Sequence, residues 1–122
     1  MLQLRSILKV VDNTGAKNIA YFKVLNGKAQ DRACLGDTII ASVKTAKPHG
    51  QIKKGQIVKA VIIRQRSPYK RKDGTVIRFD DNAAVIVDED NNPKGTKIIG
   101  PVCKEIRAKG YSKIISLAQE IL

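Results

Sequence analysis

The stretch Ala60–Val87, AVIIRQRSPYKRKDGTVIRFDDNAAVIV, decides the fold. Its first run, Ala60-Val61-Ile62-Ile63, is apolar on both faces, so both sides of that strand should be covered by protein. Its last run, Ala83–Val87, reads as a second short strand. Between them lies the loop Ser67–Gly74, centred on Lys70-Arg71-Lys72. Asp73-Gly74 closes it, a pair suited to the positive φ angles of hairpin turns. Arg64, Arg66 and Arg78 add guanidinium groups on the arms. This pattern predicts a rigid hairpin that presents cations to nucleic-acid phosphates.

Working outward, Ile57–Arg66 is the full upstream strand, and Thr75–Asp80 alternates with Ile77 and Phe79 inward. Thr38–Thr45 is a strand with Ile39, Ala41 and Val43 inward, opened by Gly36-Asp37. The basic segment joining it to the hairpin carries Lys47-Pro48-His49-Gly50 and Lys53-Lys54-Gly55. Near the start, Ile7–Val11 and Ile19–Leu25 read as strands around the turn Asp12-Asn13-Thr14-Gly15. In the second, Ala20, Phe22 and Val24 share a face, and Phe22 and Phe79 are assigned to the core. Asn26-Gly27 ends that run. Asp88–Gly95 is turn chemistry throughout.

From Gly100 the period changes. Pro101 suits a first helical position and Gly110 a C-terminal cap, with Val102, Cys103 and Ile106 on one stripe. After Ser112, Ile114, Leu117, Ala118 and Ile121 recur at helical spacing. Five or six short strands followed by a small helical tail predict an all-β fold. The expected form is a five-stranded antiparallel barrel, whose closure removes exposed edges. The chain reads as a single domain over residues 1–122, with the barrel and its basic hairpin in 1–99 and short helices in 100–122.

Charge points to the partner. The 122 residues carry 23 Lys and Arg against 11 Asp and Glu, a net charge of +12, with a hydrophobic fraction of 43%. That hydrophobic content excludes a disordered basic tail. A surface charged only for solubility seldom needs this sign and magnitude. Between Thr38 and Lys72 there is no acid but ten bases: Lys44, Lys47, Lys53, Lys54, Lys59, Arg64, Arg66, Lys70, Arg71 and Lys72. Five acids gather instead at Asp80, Asp81, Asp88, Glu89 and Asp90. Separated signs let one face dock on phosphate. Ten cations on phosphates imply a log–log salt slope on the order of −7 to −9. With no Trp and few aromatics, single-strand stacking is a poor fit, and structured RNA read by phosphate and shape is the better one. Tyr69 either stacks on a base or covers loop backbone, and His49 either meets RNA or is solvated.

Catalytic chemistry finds little support. There is no GxSxG, no Walker loop and no GxGxxG. Asp80 and Asp81 are adjacent, so on a strand they point to opposite faces. A small barrel enzyme using His49 or Asp80 is the remote alternative. Cys34 and Cys103 lack metal-ligand spacing, and one histidine cannot complete a zinc site, so neither cofactor nor metal is expected. Met1-Leu2-Gln3-Leu4-Arg5 lacks an apolar core of signal-peptide length, and no apolar run approaches the ~20 residues of a membrane span. The expectation is a soluble intracellular protein without a membrane partner.

The residues also resemble a known family. Ala60-Val61-Ile62-Ile63, Asp73-Gly74, Phe79, Asn82 and Val85-Ile86, at their spacing here, match the signature of the large-subunit ribosomal protein fourteen family in its bacterial or organellar form. Asp12-Asn13-Thr14-Gly15-Ala16 is similar to its N-terminal motif. Gly95-Thr96-Lys97-Ile98, Gly100-Pro101-Val102 and Lys113-Ile114-Ile115-Ser116-Leu117-Ala118 resemble its C-terminal one. The resemblance implies a structural, non-catalytic constituent of the large subunit, on a bacterial cytoplasmic or an organellar ribosome. The implied partners are large-subunit rRNA, small-subunit rRNA at inter-subunit bridges, large-subunit proteins nineteen and three, and a ribosome-silencing factor. Candidate rRNA-binding residues are Lys44, Lys47, His49, Lys53, Lys54, Lys59, Arg64, Arg66, Tyr69, Lys70, Arg71, Lys72, Arg78 and Lys97. Candidate protein contacts in the C-terminal part are Lys104, Arg107, Tyr111 and Lys113. An alternative makes the protein a docking platform in a ribonucleoprotein, with RNA contact secondary. Three positions depart from the family pattern. Gln30-Asp31-Arg32 replaces two arginines and a tyrosine, which argues against RNA contact there. Ile99 replaces a phenylalanine. Gln119 replaces a proline, which predicts a last helix extending toward Ile121.

Overall fold

The computed structural model describes residues 6–25 and 33–122. Met1–Arg5, the Asn26-Gly27 break and the Gln30-Asp31-Arg32 substitution lie outside these residues. Five strands close a barrel in the order β1 (Ile7–Val10), β2 (Ala16–Val24), β3 (Thr38–Ala46), β4 (Ile57–Arg64) and β7 (Ala83–Val87). Two short strands, β5 (Tyr69–Lys70) and β6 (Val76–Ile77), form a separate antiparallel ribbon between β4 and β7.

Four seams of the barrel are antiparallel, as the pattern predicts. The closing seam between β1 and β7 is parallel, pairing Lys9 with Ala83 and Val10 with Ala84. Directly opposed residues share a face, so the registers define the interior. Ile39 opposes Ala60 and Ala41 opposes Val58. Ala60 then opposes Ile86, and Ile62 opposes Ala84. All of these are buried, and Ile39, Ala60, Ile62 and Ile86 are fully so.

The other face of β4 and β7 is buried too: Val61, Ile63 and Val85 are at 0% exposure. The segment after Gly100 supplies Val102, Cys103, Ile106, Ile114 and Ile115 to the same apolar cluster. Cys103 N–H reaches Ile63 O at 3.5 Å. Each isoleucine so covered contributes about 2 kcal/mol. The apolar runs that opened the sequence reading are thus buried on both sides.

Three local expectations are corrected. Phe22 is 47% exposed: Ile19 and Tyr21, opposite the buried Val43 and Ala41, are the inward residues of β2, so Phe22 falls on the outer face. A register shift between Tyr21 and Lys23 brings Val24 back opposite Ile39. Pro101 is not a helical residue: it belongs to β8 (Pro101–Val102), and α1 is only Glu105–Ala108. Gly110, at φ +95°, does follow that helix in the left-handed conformation. Finally, α2 (Ser112–Leu117) does not extend to Ile121. Ala118 is already extended (φ −72°, ψ 142°), and β9 (Glu120–Ile121) pairs in parallel with β8. Gly100 N–H donates to Gln119 Oε1 at 3.2 Å, and Leu122 N–H to Val102 O at 2.9 Å. Those pairings outweigh another helical turn that removal of proline would permit.

Candidate nucleic-acid interface

The basic segment after β3 is fastened to the first turn of the chain. Lys47 N–H donates to Gly15 O at 2.8 Å and Ile52 N–H to Thr14 O at 3.1 Å, while Ile52 is buried as a plug. Gly15 (φ +104°) and Gly50 approach so closely that a Cβ on Gly15 would lie 2.7 Å from Gly50 Cα. Only glycine tolerates both that conformation and that contact. With the backbone so fixed, Lys44, Lys47, His49, Lys53 and Lys54 remain exposed.

Asp12 holds the turn itself. Its carboxylate is buried and accepts from Ile86 N (2.9 Å), Thr14 N (3.2 Å) and Thr14 Oγ1 (2.6 Å). Asp12→Ala strands the Ile86 amide inside the barrel wall. The expected loss is about 3 kcal/mol, measured as a drop in the urea midpoint with unchanged slope.

The ribbon is the hairpin expected from Ser67–Gly74. Arg71 N–H donates to Thr75 O at 2.8 Å, and Gly74 takes φ +90°. Asp73 Oδ1 accepts from Thr75 Oγ1 (2.6 Å) and Thr75 N (3.0 Å), and these two bonds hold its carboxyl below the usual range. Arg66, Lys70, Lys72 and Arg78 are exposed around this ribbon, and Lys97 is exposed beside the first turn. Asn13 Oδ1 accepts from the backbone of Thr96 (2.8 Å) and Lys97 (3.3 Å). Lys59 lies half-buried on β4.

Four candidates are redirected. Arg64 is 5% exposed: it grips Asp81 through Nε–Oδ1 (2.9 Å) and Nη2–Oδ2 (3.1 Å). Its Nη1 donates to the carbonyls of Ile99 (3.0 Å) and Pro101 (3.1 Å). It is an internal clamp between the barrel and β8. Arg71 folds back onto the C-terminal part, pairing with Glu105 Oε1 at 2.7 Å and donating to the Leu122 carbonyl. Burial opposes its charge, but hydrogen bonds to Cys103 and Glu105 prevail and raise its pKa. Tyr69 is half-buried and packed against the core, which favours its covering role. Tyr111, assigned to protein contact, is 8% exposed, with its hydroxyl against Thr38 Oγ1. The other three C-terminal candidates, Lys104, Arg107 and Lys113, are exposed. Sequence reasoning missed Lys109, whose stem lies over Gly36 beside α1. Only its place in the basic run around α1 signalled it.

The two thiols differ in access. Cys103 is fully buried, with Sγ 3.0 Å from Glu105 Oε1. Burial, then that carboxylate, pushes its pKa above the ordinary 9.0. Its native thiol therefore holds its proton more tightly than the unfolded one. That stabilisation is complete below pH 9.0 and fades as pH rises through the native value. Cys34 is half-exposed. A maleimide at pH 7.5 is expected to label Cys34 in native protein and Cys103 only after denaturation, as read by peptide mass spectrometry.

Among the described residues, no group of three or more His, Cys, Asp or Glu could hold a metal ion. No described helix is long and apolar enough to cross a membrane. What the geometry defines is a small closed β-barrel that carries exposed cationic loops on a fixed backbone. Residues 1–122 match the family profile of ribosomal protein L14p/L23e. The chain is also 52% identical over 121 residues to the large ribosomal subunit protein uL14 of Petrotoga mobilis, covering 99% of both chains. The chain belongs to the ribosomal protein L14p/L23e family and is a structural protein of the large ribosomal subunit.

Proposed function

We propose that the protein anchors large-subunit rRNA through the exposed cations of its 44–54 segment and of the β5–β6 ribbon, and has no catalytic role. The observation that carries this reading is the rigid mounting of both basic segments. The Gly15–Gly50 contact and the Ile52 plug fix one, and the Arg71–Glu105 pair fixes the other. Pre-set cations lose little freedom on meeting phosphate. With Arg64 and Arg71 committed internally, eight of the ten bases between Thr38 and Lys72 remain for RNA. The expected salt slope falls accordingly to the order of −6 to −7.

The family relationship supports further partners: small-subunit rRNA at inter-subunit bridges, large-subunit proteins nineteen and three, and a ribosome-silencing factor. The setting is a bacterial cytoplasmic or an organellar ribosome. A protein-docking role beside RNA binding is favoured by one observation. Ile99 is 63% exposed, close to the 43% exposed Ile121 and Leu122 of the C-terminal part. Of the C-terminal candidates for protein contact, Lys113 is exposed on α2 and fits a protein neighbour there.

Cosedimentation with large subunits at rising salt tests the central reading. Arg66→Glu, Lys70→Glu and Lys72→Glu together should abolish incorporation. Undiminished incorporation of that variant would refute anchoring by the ribbon.

A further inference from the structure

Between the β5–β6 ribbon and α1 runs a groove of about 770 Å³, lined by residues 69–73 on one side and by 104, 105 and 107–109 on the other. The ribbon wall carries Lys70 and Lys72; the helix wall carries Lys104, Arg107 and Lys109, and all five are exposed. Two carboxylates lie here, and both are engaged within the fold. Asp73 serves Thr75, and Glu105 pairs with Arg71 at 2.7 Å, a tie that joins the two walls.

We propose that this groove seats one run of RNA phosphates, gripped by both walls at once. The proposal rests on the rRNA-anchoring reading and adds the helix wall to it. Five exposed cations outnumber the two carboxylates here, of which Glu105 is tied to Arg71 and Asp73 accepts from Thr75 through Oδ1. A phosphodiester strand needs only donors and brings one charge per nucleotide. A peptide would bring main-chain N–H groups that need acceptors. The helix-wall cations therefore face RNA, and the Arg71–Glu105 pair sets the spacing of the walls.

Filter binding of the full chain to deproteinised large-subunit rRNA, from 50 to 200 mM salt, tests this. Replacing Lys104, Arg107 and Lys109 by alanine should reduce the salt slope by about 2 and weaken binding about 100-fold at 0.1 M. Replacing Lys70 and Lys72 as well should weaken it further, but by less than the product of the separate losses, because one wall alone cannot seat the strand. The exposed single variant Lys109→Glu gives the same direction with minimal risk to the fold. The proposal is overturned if the helix-wall variant binds within twofold of the parent, or if the losses of the two walls simply multiply. It is equally overturned if that variant keeps its RNA affinity but loses binding to polyglutamate. Should Lys47→Ala, Lys53→Ala and Lys54→Ala weaken binding while the helix-wall variant does not, the groove fails and the broader anchoring survives. Absence of salt-dependent binding by the parent protein overturns both.

Discussion

Arg64→Ala is expected to lower the melting temperature by roughly 10 °C, the largest stability effect of any lysine or arginine in the described chain. The reason is position, not charge. The Arg64 guanidinium is buried, holds both oxygens of Asp81 and satisfies the carbonyls of Ile99 and Pro101. Removing one partner of such a pair costs about 3–5 kcal/mol when the other is fully buried. Asp81 retains 35% side-chain exposure, so water recovers part of that and about 3 kcal/mol is the expected loss. Gly100 sits at φ +86° beneath the guanidinium, leaving no room for a side chain to replace it. Arg64→Lys keeps the charge but not the fork that meets Asp81 and two carbonyls, and should recover less than half of the loss. Arg66→Ala, two residues away and exposed, should change stability by no more than about 0.5 kcal/mol. Differential scanning calorimetry of the three variants checks all of this. A similar melting temperature for Arg64→Ala and Arg66→Ala would refute the clamp.

That contrast shows what a single chain discloses. Ala60–Ile63 carries its own signal, because an apolar run without alternation needs cover on both faces wherever it lies. The loops disclose themselves too, since glycine, proline and lysine in runs leave little to bury. Ile52 is the exception, and its plug role depends on the Thr14 carbonyl thirty-eight residues earlier. Arg64 and Arg66 look alike in sequence. Their fates are decided by Asp81 and by carbonyls beyond position 98, partners no local pattern contains. Phe22 lies outside for a related reason: β2 has apolar residues on both faces, and only its pairing with Ala41 and Val43 marks the Ile19–Tyr21 face as the inner one. The last helix fails at Ala118 although its propensity allows more, because Val102 and Gly100 offer better partners. The parallel β1–β7 seam follows from where the chain returns after its ribbon, which residue types do not encode.

Neutralising the 44–54 segment with alanine is expected to cost about a thousandfold in rRNA affinity. Lys44, Lys47, Lys53 and Lys54 are all exposed, and none is spent on an ion pair among the described residues. Each phosphate contact contributes about 0.7–0.9 to the salt slope, so replacing four lysines by alanine should reduce the slope by about 3. At 0.1 M salt the same contacts amount to about a thousandfold in affinity for rRNA. Stability should move little, since the loop is held by Ile52, Gly15 and Gly50 rather than by its lysines. Gly50→Ala supplies the complementary test. It keeps every cation but forces the loop off Gly15, where the added Cβ would lie 2.8 Å from the Gly15 Cα. If affinity depends on charge alone, this variant binds as the parent does. If the mounting of the loop matters, it loses affinity while its salt slope is nearly kept, because the cations still find phosphates but must first be ordered. The anchoring reading requires the second result, measured as paired affinity and slope on the same rRNA.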